Sequence, residues 1–349
     1  MRIRTIEDSF HLMCEGFARA SDTDPDGAHQ TYYTLAGQAV KIRIVGKNLA
    51  HRIHQAFAHL VIESAVTTAP YLTIDIWDEK ETGVSRPIPP AKYNAGLHKI
   101  PSKFSDTEFF LCWFQHTLLY YDPGNSHMVS CVSGADELSL YEQGRPLHPP
   151  LTLWHNDRGV PVIHAGLVSL NGKGLLLAGT GGAGKSTSAI TCLEAGFSYL
   201  SDDLIGLRVL SDGSFWGHSL YNSTYIEPNH LTNFPHLKPF AIKGTLPGED
   251  KFLILLSQVW PSRLVHTAGI HTILLPRIGN GHDSRICPAP RAKALFALAP
   301  SSRQINKRLG ATGFDKLAKL VDQIPCYWLE LGRDLNGIPR CIEQGLADF

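Results

Sequence analysis

GLLLAGTGGAGKSTSAITCLEAG, residues 174–196, is the stretch that decides the fold. Gly179–Ser186 matches G-x-x-x-x-G-K-[ST] at every required place, and a chance match in a chain of average composition is on the order of one in a hundred. The context carries more weight than the match. An apolar strand, GLLLA, runs into the loop, and a helical pattern, KSTSAITCLEAG, leaves it, with Gly196 where a helix ends. Glycines at 179, 181, 182 and 184 let successive backbone N–H groups turn inward without a Cβ in the way. The helix then adds its positive end to that anion site. The reading is a cradle for a polyphosphate, made by Gly179, Thr180, Gly181, Gly182, Ala183, Gly184, Lys185, Ser186 and Thr187. Lys185 reaches the β- and γ-phosphates, and Ser186 offers its hydroxyl to Mg²⁺.

Working outward, FSYLSDDLIGL (197–207) reads as a short buried strand that delivers Asp202 and Asp203 just past its end. Adjacent carboxylates also suit a solvated turn, because burying both is costly. One helix after a phosphate cradle, they become candidates for a metal-holding carboxylate and a catalytic one, the two groups a phosphoryl transferase needs. Upstream, Val168–Leu170 and Leu175–Leu177 flank Asn171-Gly172, a two-residue hairpin turn.

The remaining chain sets the bounds. Its 349 residues favour two domains, and a proline cluster in GRPLHPPLTLW (144–154), read as irregular, places the boundary near 150. Residues 1–150 read as a mixed α/β recognition or assembly module, and 151–349 as the nucleotide-binding domain. In the first half, Val40, Ile42 and Ile44 alternate with Lys41 and Arg43, and Leu72, Ile74 and Ile76 alternate likewise, as half-buried strands do. NLAHRIHQAFAHL between them is helical; its His51 and His54 read as an ordinary helix face and not as metal ligands. Residues 79–105 read as a proline-rich loop, and DPGN (122–125) as a hairpin turn between TLLYY and MVSCV.

Thirty-two basic residues balance 32 acidic ones, so no field argues for nucleic acid or a membrane surface. No apolar run is long enough to span a bilayer and no secretory signal opens the sequence, which makes a cytoplasmic location the expectation. Seven widely spaced cysteines without a CxxC give neither a zinc site nor a dithiol; five or six read as buried small hydrophobes.

His164 in IHAG, GLLLAGTGGAGKSTSA and GFSYLSDD together resemble the C-terminal kinase domain of the HPr serine kinase/phosphorylase family. They resemble still more its HPr-kinase-like relatives, including those encoded with modified-peptide clusters. LYNSTYIEP (220–228), ALAPSSR (297–303) and IPCYWLELGRDL (324–335) extend the likeness over roughly residues 155–345. The resemblance implies an α/β P-loop kinase domain of the HPr kinase/PEP carboxykinase type, with ATP in the loop and Mg²⁺ beside it. It gives the acceptor-activating role to Asp202, a metal and phosphate role to Asp203, and a place near the site to His164. The family's E-[IV]-R-G-x-G segment is missing, which leaves Glu227 as a substitute metal ligand beside Ser186 and Asp203, and takes away HPr as the confident target. Arg303, with Lys307 and Arg308 beyond it, is a candidate for steadying transferred charge. The family forms rings, so a homo-oligomer is open.

The function this implies is an ATP- and Mg²⁺-dependent kinase acting on a serine hydroxyl of a small protein or peptide encoded nearby. A kinase for a free amino acid or other alcohol remains open, as does a nucleotide-binding regulatory module without turnover.

Overall fold

The computed structural model describes residues 6–63, 71–89, 93, 96–101, 108–114, 116–305 and 309–347. The chain divides into two compact units, Met1–Trp154 and His155–Phe349, both mixed α/β. In the first, α1 (Ile6–Thr23) precedes β1 (His29–Leu35), β2 (Gln38–Val45), α2 (Lys47–Phe57), β3 (Val61–Ile62) and β4 (Leu72–Asp78). The chain continues through α3 (Glu79–Thr82), β5 (Gly96–Pro101), β6 (Glu108–Phe114), β7 (Thr117–Asp122), β8 (His127–Val132), α4 (Leu140–Gly144) and α5 (His148–Asp157). Among the described residues the strands form one sheet in the order β3-β1-β2-β4-β8-β7-β6-β5. The pairs β2–β4 and β4–β8 are parallel. Alternation was a sound guide here: Val40, Ile42, Ile44, Leu72, Ile74 and Ile76 are all buried. On α2, His54 Nδ1 lies 3.1 Å from the Tyr33 hydroxyl and His51 Nε2 lies 3.0 Å from Gln55 Nε2. No metal-holding group of three His, Cys, Asp or Glu occurs among the described residues.

Three expectations need correction. GRPLHPPLTLW is largely helix α5, not irregular; Pro149 and Pro150 occupy its first turn, where no backbone N–H is needed and a fixed φ is an advantage. Residues 79–105 are not simply a loop. Asp78 caps α3 by accepting from the Glu81 N–H at 3.0 Å, and β5 pairs antiparallel with β6. Of the cysteines, only Cys112, Cys131, Cys192 and Cys326 are buried; Cys14, Cys287 and Cys341 are half-buried.

The second unit runs β9 (Val162–His164), β10 (Gly166–Leu170), β11 (Lys173–Leu177), α6 (Lys185–Glu194), β12 (Ser198–Ser201), β13 (Leu204–Val209) and β14 (Phe215–Ser219). Then come β15 (Ser223–Ile226), α7 (Pro228–Leu231), β16 (Ile242–Lys243), β17 (Phe252–Leu255), β18 (Thr267–Ile278) and β19 (Arg285–Pro288). It closes with α8 (Arg291–Ile305), α9 (Gly310–Gln323), β20 (Cys326–Leu331) and α10 (Gly337–Ala347). The main sheet is ordered β12-β10-β11-β18-β14-β13-β9, with β20 added to β18 and β19 to β20. A small sheet, β15-β17-β16, stands apart.

Successive side chains of the GLLLA strand go to opposite cores. Leu175 and Leu177 pack with Ala189 and Ile190 of α6 and Ile338 and Ile342 of α10. Leu176 packs with Ala294 and Leu298 of α8 and Leu317 and Leu320 of α9. A strand covered on both faces must be apolar throughout, which is why this one shows no alternation. Asn171 (φ 50°) and Gly172 (φ 80°) make the expected hairpin turn between β10 and β11.

Strand directions decide what meets at the sheet edge. β11 is antiparallel to β10, and β10 is antiparallel to β12, so β11 and β12 run the same way. β18 is parallel to β11, and β20 to β18. Four carboxyl ends therefore share one edge, the side of an open α/β sheet where ligands bind. No helix among the described residues is long and apolar enough to cross a membrane.

Candidate functional site

The glycine loop leaves β11 at that edge and enters α6. Gly182 (φ 78°) and Gly184 (φ 102°) are left-handed, and a Cβ on Gly184 would sit 2.3 Å from Leu331 Cδ1. Only glycine serves there, on both counts. No side chain caps the start of α6, so its first N–H groups stay turned toward the loop's concavity. The helix ends in a double C-terminal hydrogen bond, Gly196 N–H to Leu193 O (3.1 Å) and Phe197 N–H to Cys192 O (3.0 Å). Lys185 is buried and donates from Nζ to Gly179 O at 2.7 Å and Thr180 O at 3.2 Å. Burial lowers its pKa, and the nearby Asp203 and Asp202 work against that shift.

A cavity of about 350 Å³ opens over the loop, from Thr180 through Thr187. The aspartate pair is split across it. Asp202 is 2% exposed; its Oδ1 accepts from the Tyr199 hydroxyl at 2.9 Å and its Oδ2 from the Thr224 hydroxyl at 2.7 Å. It does not line the cavity. Asp203 does line the cavity, with Oδ1 2.7 Å from His164 Nε2. The pairing of Leu204 with His164 across β13 and β9 fixes that contact, because Asp203 immediately precedes Leu204. His164 is held from behind, its backbone N–H donating to Ser302 Oγ at 3.0 Å. Its Nδ1 is buried without a hydrogen-bond partner.

Glu227, at the start of α7, reaches the same cavity and lies 3.7 Å from Lys251 Nζ. Ser186, Asp203 and Glu227 are thus brought to one space, and their oxygens are the hard donors Mg²⁺ prefers. With two carboxylates, they suit an ion that keeps waters and phosphate oxygens in its shell, not an all-protein cage. Arg303 is exposed on α8 and does not line the cavity; Lys307 and Arg308 lie outside the described residues.

Several cavity residues were not singled out from the sequence, among them Lys251, Ile278 and Arg333. Arg333 stands in the quoted segment IPCYWLELGRDL, two residues past a parallel strand, and strand ends at this edge are the places to look.

No protein-family model matches the chain, and no curated protein matches it. Among solved structures it is similar to the Hpr(Ser) kinase/phosphatase from Coxiella burnetii, at a TM-score of 0.31 and 14% sequence identity. That match covers 54% of this chain and 91% of the other, a distant likeness of fold alone.

Proposed function

We propose that the chain is an ATP- and Mg²⁺-dependent kinase that transfers the γ-phosphoryl group to a serine hydroxyl on a small protein or peptide. The observation that carries the reading is the Asp203–His164 pair, 2.7 Å apart and facing the glycine loop. A carboxylate oriented by an imidazole is a competent base for an alcohol held within hydrogen-bond reach.

In the step proposed, the acceptor oxygen forms a bond to the γ-phosphorus as the bond to the bridging oxygen breaks. The nucleoside diphosphate leaves, and the hydroxyl proton passes to Asp203. Lys185 and the N–H groups at the start of α6 hold phosphate charge, so the protein's contribution is positioning and electrostatics. Ser186 and Glu227 would hold Mg²⁺, which would neutralise phosphate charge and leave the Asp203 carboxylate to take the proton. Asp202 ties the end of β12 to β15 through the Thr224 hydroxyl, while the Tyr199 hydroxyl of β12 holds its other oxygen, which aims Asp203.

The rim favours a peptide over a free amino acid: the side chains of Glu227 and Lys251 are 56% and 53% exposed, an open mouth and not a closed pocket. The test is incubation with γ-labelled ATP, Mg²⁺ and the peptides or small proteins encoded beside the gene. Label on a serine supports the proposal. Tight ATP binding with label on nothing overturns it in favour of a nucleotide-binding regulatory module.

A further inference from the structure

The strand order also says which way a nucleotide lies. Along the sheet edge, Asp203 follows β12 on one flank of the loop, while β18 and β20 end on the other, with Ile278 paired to Leu331. In-line transfer sets the acceptor and the leaving group on opposite sides of the γ-phosphorus. If Asp203 faces the acceptor, the nucleoside emerges over the ends of β18 and β20.

That flank has the chemistry of a nucleoside seat. Ile278 is 77% exposed, a large apolar side chain that nothing covers, and it lines the cavity with Leu331 and Leu335. Leu331 already touches the loop at Gly184, so the apolar strip starts where the phosphates stop. Arg333, two residues past β20, lines the cavity beside them, and its side chain has no hydrogen-bond or ion-pair partner among the described residues. A guanidinium there can lie flat over the π-face of a base.

The backbone of the same flank is already spoken for. The Gly279 N–H donates to Leu331 O at 2.9 Å, Gly332 N–H to Ser284 Oγ at 3.1 Å, and Arg333 N–H to Gly281 O at 3.2 Å. Those bonds stitch the two strand ends together and leave these three N–H groups unavailable to the edge of a purine.

We propose that the nucleoside half of the bound nucleotide seats on Ile278, Leu331 and Leu335 beneath Arg333. It is held there by stacking and burial, so adenine and guanine nucleotides are accepted alike. The inference rests on the nucleotide reading above. Calorimetric titration of the full chain with ATP, GTP and inorganic tripolyphosphate, each with Mg²⁺, tests it. Ile278→Asp, at a site too exposed to threaten folding, weakens ATP and GTP about tenfold and leaves tripolyphosphate within about twofold. Arg333→Ala acts in the same direction. ATP and GTP bind the unaltered chain within about threefold of each other. Equal loss for tripolyphosphate, no loss for ATP, or a preference between the purines beyond about tenfold overturns the seat. Lys185→Met separates the two readings: if ATP and tripolyphosphate both bind undiminished to that variant, the nucleotide reading itself fails.

Discussion

Replacing Asp202 and Asp203 separately by Asn should give opposite phenotypes, although the residues are adjacent and chemically identical. Asp202 accepts from two buried hydroxyls, Tyr199 at 2.9 Å and Thr224 at 2.7 Å. Hydrogen bonds to a charged acceptor contribute about 1.5–3 kcal/mol, against about 0.5–1.5 for neutral pairs. An amide keeps one acceptor and forces the other hydroxyl to turn and accept, so the two bonds together lose roughly 2 kcal/mol. For a unit of this size, that lowers the melting temperature by roughly 4–8 °C, while turnover at 20 °C stays near that of the unaltered chain. Asp203→Asn removes a partly exposed pair, which costs less than about 1 kcal/mol. It also removes the proposed base, and turnover falls by roughly 10²–10⁴. Scanning calorimetry and label transfer, run on the same preparations, read both effects. If Asp202→Asn abolishes transfer at an unchanged melting temperature while Asp203→Asn still turns over, the assignment is reversed and the reasoning is refuted.

Lys185→Met should remove most nucleotide affinity without unfolding the chain, because among the described residues Nζ is bound to loop carbonyls alone; ATP-induced thermal stabilisation reports it. Gly184→Ala places a Cβ 2.3 Å from Leu331 Cδ1 at φ 102°, so either the loop or the end of β20 must move. A cost of at least about 1–2 kcal/mol in urea unfolding and a loss of ATP-induced stabilisation are expected. His218 is buried, and burial followed by the Arg208 charge lowers its pKa from 6.5 to about 4. The unfolded chain therefore binds the proton first. The stability contributed by neutral His218 is complete above pH 6.5 and is lost, by roughly 3 kcal/mol, as pH falls toward 4. His218→Phe should flatten that limb of the urea stability profile, and an unchanged slope would contradict the assignment.

How much of this was legible depended on whether the signal was local. The loop, the helix after it and the Asn171-Gly172 turn are encoded by consecutive residues with restrictive backbone needs, and each stands where its spacing puts it. Helix α5 was misread because its prolines look like breakers until they are counted from the helix start, where they are tolerated. Which of Asp202 and Asp203 lines the cavity was not legible for a different reason. Neighbouring residues at the end of a strand point to opposite faces, and which face holds the ligand depends on the partner strands. Thr224 on β15 claims one carboxylate and His164 on β9 the other, from 22 residues after and 39 residues before. The strip formed by Ile278, Leu331 and Leu335 was hidden likewise, because β18 and β20 become neighbours only through the sheet.

The strand that separates β11 from β12 gives the site its scale. Adjacent strands lie about 4.8 Å apart, so an acid on the next strand would stand about 5 Å from the loop, close enough for a metal and too close for an acceptor. Here β10 intervenes, and the gap is about 10 Å. A phosphate held by the loop, an attacking oxygen about 3 Å from it and a hydrogen bond of about 2.7 Å to a carboxylate would fill that distance in the proposed reaction. The intervening strand presents Gly166 at this edge. A Cβ there would come within 3.3 Å of Asp202 Cα and of Leu177 Cβ, so the position stays clear of side-chain atoms. Under the proposed function, an intervening antiparallel strand that is bare at its start would space the proposed base from the cradle by the width of a substrate. Gly166→Val should displace β12 against β11 and raise the KM for the acceptor more than that for ATP, since the loop itself is untouched. Equal effects on the two constants would show that the spacing is not what the glycine protects.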